Sequence, residues 1–133
     1  MKTTATIIQQ MVRLAGVLQI ALGLLFWAGY ALDFLGLHML LGMLIVLLLW
    51  ALAGMAAWAR VVPGLVVLAV AWGLGTPIFG MTQARILPGA AHWLIQLAHL
   101  LVGLAALALA ETLARRLRER ESGAGELREA LSQ

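Results

Sequence analysis

Histidine is scarce in this chain, three in 133 residues, and two of the three fall in one apolar stretch, residues 90–103. At helical spacing His92, Gln96, His99 and Gly103 lie at i, i+4, i+7 and i+11, one face of a helix otherwise built mainly of Leu, Ala and Val. The third, His38, has Gly42 four residues on, the same spacing that separates His99 from Gly103. An imidazole among such neighbours needs a partner. The pattern predicts His99 facing His38 from another helix, with a metal centre between them. Cysteine is absent, which excludes disulfides, thiolate iron–sulfur ligation and c-type haem attachment and leaves His, Met or carboxylate as ligands.

The elements that must position these residues are set by composition. The chain is 63% hydrophobic and 11% charged, with a mean hydropathy of +0.98; so little charge cannot cover a soluble domain of this size. The apolar residues come in four runs of roughly 20, the length that crosses a bilayer. The expected fold is all-α, a four-helix transmembrane bundle over residues 1–121, with spans at about 11–30, 34–58, 62–79 and 90–110. The last helix is expected to continue as a polar helix to about 121, and 122–133 to form a flexible cytoplasmic tail broken off at Ser122–Gly125. Lys2 and Arg13 precede the first run as they would in a signal sequence, but no small-x-small cleavage site follows Trp27, so it is read as a retained helix. Asp33 is placed to cap the second helix, Pro63 to open the third, and Pro77 to kink or end it.

Charge sets the orientation. With both termini on one side, that side holds Lys2, Arg13, Arg60, Arg115, Arg116, Arg118, Arg120 and Arg128, and the other holds only Arg85. The positive-inside rule then puts both termini in the cytoplasm of a bacterial inner membrane. Basic residues gathered beyond one membrane end indicate topology and lipid attraction, not nucleic-acid binding.

Two segments recur in order. Residues 17–24 resemble 67–74, and His38-Met39-Leu40-Leu41-Gly42 resembles His99-Leu100-Leu101-Val102-Gly103. The second hairpin is longer by eleven residues. Two hairpins of equal orientation would be related by a pseudo-two-fold axis along the membrane normal. Such an axis selects His99 over His92 as the partner of His38.

Two facing neutral imidazoles can supply both axial ligands of a haem iron. Helices ordinarily pack about 8–10 Å apart, so Gly42 and Gly103, one turn from each ligand, would relieve crowding at a flat macrocycle. On these residues the chain resembles compact four-helix transmembrane b-type cytochromes, in which histidines on two helices clamp haem b. The resemblance covers the four spans, with the doubled His-x-x-x-Gly as its motif. It implies His38 and His99 as metal ligands, Arg85 pairing with a propionate, Gln19 and Gln96 orienting ligands, and His92 without a counterpart, bonded to a propionate or wet at the interface. The implied role is electron transfer or redox sensing, with quinone or a membrane or periplasmic redox protein as partner. Trp50 and Trp72 would line any space for a second haem or a lipid.

Other readings stand beside this one. The histidines can serve as interhelical glue, bonded to backbone carbonyls or to Gln19 and Gln96, in a haem-free accessory subunit or assembly scaffold that uses small-residue faces to join a larger complex or a second copy. A copper site could use His38, Met39 and His92. Hydrolytic chemistry lacks residues: Asp33 is the only acid before Glu111, and there is no His-Glu-x-x-His. A small multidrug-type exchanger would need an acid within a span.

Overall fold

The computed structural model describes residues 2–132, with the side chains of Lys2 and of 125–128 excepted. Four helices make up the molecule: α1 (Lys2–Trp27), α2 (Leu35–Trp58), α3 (Pro63–Thr82) and α4 (Trp93–Leu131), and no strand occurs among the described residues. Each is long and apolar enough to cross a bilayer. The chain is a four-helix bundle with the character of a multi-pass membrane protein. Consecutive helices alternate in direction: the first part of α1 meets the second half of α4 through Gln9, Arg13 and Glu111, while Trp50 of α2 reaches the Val70 carbonyl of α3.

Helix ends differ from the sequence expectation for local reasons. α1 begins nine residues earlier than the apolar run, because Ala5, Gln9 and Val12 form a stripe buried on the neighbouring helices. Asp33 does not cap α2. It lies inside a 3-10 turn, Leu32–Phe34, and the cap position falls to Phe34, which makes no side-chain cap bond. Pro63 opens α3 as expected, and Pro77 sits inside that helix without ending it. The neighbouring Thr76 hydroxyl donates to the Trp72 carbonyl at 2.8 Å, and packed membrane helices tolerate the missing donor. α4 runs unbroken through Ser122–Gly125 to Leu131. Two isolated glycines cost about 1 kcal/mol each and do not terminate a helix that already carries paired Arg115, Arg116 and Glu119.

The core is lopsided. Leu49, Leu52, Ala53, Ala56, Ala69, Ala106, Ala110, Leu113, Ala114 and Leu117 pack around Ala5 and Val12 at the end that carries the arginines. Gln9, 4% exposed, is held there by Glu111 at 2.5 Å and by Arg118. Arg13 clasps the same carboxylate with two bonds of 2.6 and 2.8 Å. By contrast, no residue of 17–44 or of 74–105 is fully buried. The helices are tight at one end and loosely packed at the other.

Candidate metal centre

The loosely packed end is where the histidines meet. His38 is the fourth residue of α2 and His99 the seventh of α4. Their ring centroids are 6.3 Å apart and tilted by 42°. Each ring is steadied from the preceding helix by one glycine and one phenylalanine. His38 meets Phe26 edge-on at 5.2 Å, and its Cε1 lies 3.5 Å from where a Cβ of Gly23 would be. His99 meets Phe79 at 5.9 Å, and its Cε1 lies 3.0 Å from the corresponding point of Gly80.

Neither ring is explained by a protein partner. The Nδ1 atoms of His38 and His99 are buried without a hydrogen bond, as are the Oε1 atoms of Gln19 and Gln83. An orphaned buried polar atom costs about 1–3 kcal/mol, and the four found among the described residues all lie in the loosely packed half. The Nδ1 atoms therefore lack the backbone or glutamine bonds that an interhelical-glue role requires.

The separation discriminates further. A direct N–H···N bond of about 2.9 Å would draw the ring centroids to roughly 5 Å. A single metal ion held at about 2.0–2.1 Å by each imidazole puts them roughly 6 Å apart. The observed 6.3 Å is too long for the direct bond and leaves room for one atom between the rings. The protein supplies only this pair: among the described residues no group of three or more His, Asp or Glu could hold a metal ion. A bare zinc or copper ion wants three or four protein ligands. A metal that brings its own in-plane nitrogens needs just two, so the residues present fit haem b.

The other expected site residues are placed differently from one another. Gly42 is covered by the Gln19 amide, whose Nε2 stands 3.0 Å from a Cβ there. Gly103 faces open space. The glycines that touch the imidazoles are instead Gly23 and Gly80. Gln96 is half-buried on the face shared with His99. Arg85 is exposed in the 3-10 turn after α3. His92 Nδ1 is 3.3 Å from the Ile86 carbonyl, to which it donates, so this ring secures the loop that precedes α4. Met39 is 54% exposed on α2. Trp50 and Trp72 do not share one space: Trp50 is packed into α3, while Trp72 lines a groove between α3 and α4. The Trp50 indole lies against Gly73, where a Cβ would overlap its Nε1, and Trp72 donates to the Val102 carbonyl at 3.0 Å.

Phe26, Phe79 and Gly80 escaped the sequence reading. Phenylalanine occurs three times in the chain, and two of the three lie near the far ends of α1 and α3. That scarcity is the signal that would have found them. Comparison with protein-family models, curated proteins and solved structures returns no match.

Proposed function

We propose that this chain is a b-type cytochrome of the bacterial cytoplasmic membrane, with His38 and His99 as the two axial ligands of one haem b. The observation that carries the reading is the imidazole pair itself: two rings from different helices, 6.3 Å between centroids, with no protein partner at Nδ1. When bound, the group supplies reversible one-electron chemistry; with both axial positions taken, electron transfer or redox sensing is favoured over oxygen or ligand chemistry.

The chain's own residues do the rest. Gly23 and Gly80 let the Cε1 edges of the rings come close to α1 and α3, and Phe26 and Phe79 restrict their rotation. Gln19, Gln83 and Gln96 bring amides to the same half of the bundle, where they can serve the ligands or the group's edge. Arg85, free of any ion pair among the described residues, is the one cation at this end for a propionate. The doubled His-x-x-x-Gly supports two hairpins related by a pseudo-two-fold axis. The charge distribution supports cytoplasmic termini, which sets the centre towards the outer face, within reach of a quinone or a periplasmic redox protein.

The test is spectroscopic. Protein purified from haem-replete cells is expected to show a Soret band and sharpened visible bands on reduction. His38→Ala and His99→Ala should each abolish them, and His92→Ala should keep them. A colourless protein, folded by circular dichroism, would leave the scaffold reading in possession.

A further inference from the structure

At the opposite end of the bundle, the α2–α3 turn and α4 flank a second feature that the cytochrome reading does not use. A hollow of about 410 Å³ is lined by Arg60, Val61, Val62, Arg116, Glu119 and Arg120. Three arginines and one glutamate line it, and the glutamate carboxylate is already shared with Arg115 and Arg116. Arg120 donates to the Arg60 carbonyl and so fixes the turn against α4. Val62 leads directly into α3, whose N-terminus has no side-chain cap. Pro63 has no N–H and Leu65 donates to the Val62 carbonyl, which leaves the Gly64 amide and the positive end of the helix dipole to favour an anion.

Further along, between α3 and α4, lies a groove of about 340 Å³ lined by Leu68, Trp72, Ala105, Ala108, Leu109 and Thr112. The α4 residues of groove and hollow follow one another at helical spacing: Ala105, Ala108, Leu109, Thr112, then Arg116, Glu119 and Arg120. They form one continuous face. At a rise of 1.5 Å per residue, Ala105 to Arg116 is about 16 Å, close to the reach of a fatty-acyl chain. Trp58, 86% exposed at the end of α2, marks the headgroup level beside the arginines.

We propose that the α3–α4 cleft holds one anionic phospholipid, its phosphate among Arg60, Arg116 and Arg120 and one acyl chain along Leu68, Trp72 and Ala108. A charged hollow that continues into an apolar groove running towards the bilayer centre suits a lipid better than free phosphate, which would leave the groove empty. The site is independent of the histidine centre.

Native mass spectrometry of the detergent-solubilised full chain, titrated with phosphatidylglycerol and in parallel with phosphatidylcholine, tests this. The expected result is one retained phosphatidylglycerol, with phosphatidylcholine bound about tenfold more weakly. Arg60→Gln/Arg116→Gln should weaken retention about tenfold or more, and Arg115→Gln should not. Ala108→Phe, which fills the groove and leaves the arginines in place, should also reduce it. Trp72 fluorescence should be quenched by phosphatidylglycerol brominated on the acyl chain. Equal retention of both lipids, or no loss in either cleft variant, would overturn the proposal. Displacement of bound lipid by millimolar inorganic phosphate, with Ala108→Phe without effect, would reassign the hollow to a free phosphate.

Discussion

Gly23 and Gly80 both lie under an imidazole, but they leave different margins. A methyl at Gly23 would stand 3.5 Å from His38 Cε1, ordinary van der Waals contact, whereas one at Gly80 would stand 3.0 Å from His99 Cε1. A side chain pinned by Phe79 on one side has little freedom to give way. Gly80→Ala is therefore expected to tilt His99 and shift the reduced visible bands or lower haem occupancy several-fold, while Gly23→Ala leaves both unchanged. Reconstitution of the two variants side by side, followed by absorption spectroscopy, makes the comparison. The meeting of the two imidazoles was legible because histidine is rare and its spacing to glycine is repeated. The supporting glycines were not, since contact across helices depends on rotation and depth, which a pattern along one strand of sequence does not fix. Gly42, one turn from His38, looked as suitable as Gly23 and is occupied by Gln19 instead.

At the level of the helices, hydropathy located the four spans, and charge and proline located the α2–α3 turn. What it missed follows from tertiary packing. The first span was expected to start only at about residue 11 because Thr and Gln are frequent before it, yet Ala5 and Gln9 are buried against neighbours. The repeat pairs Gly23 with Gly73, but Gly73 receives Trp50, and His99 rests on Gly80 seven residues further on. The longer second hairpin carries α3 on before the chain turns, so the register of the histidine contact differs between the two halves. Gly73 of α3 receives the Trp50 indole of α2, and no side chain fits there beside it. Gly73→Ala should cost about 1–3 kcal/mol through overpacking, seen as a lower melting temperature in detergent. A shortened side chain at Trp50 in the double variant should recover part of the loss.

Over the whole molecule, stability is unevenly distributed. The fully buried apolar side chains gather around Leu49, Leu52, Leu113 and Leu117 at the arginine end, and the histidine end holds four unpaired buried polar atoms. Local opening free energies follow contact density. Hydrogen exchange in micelles is expected to be faster across 17–44 and 74–105 than across the other described segments, and to slow there when haem is added; uniform exchange along the chain would contradict the uneven core. For orientation, a reporter inserted beside Arg85 should be accessible from the outside, with both termini accessible only from the inside.

α4 is the one element shared by everything described: His99 near its start, the apolar groove at its middle, the Glu111 clasp and the arginine hollow beyond. Its 39 residues form an unbroken rod of about 58 Å. Among the described residues its fully buried apolar side chains all lie between Ala106 and Leu117, so the rod is clamped at its middle and carries a cantilevered arm at each end, one with His99 and the other with the arginines that follow Leu117.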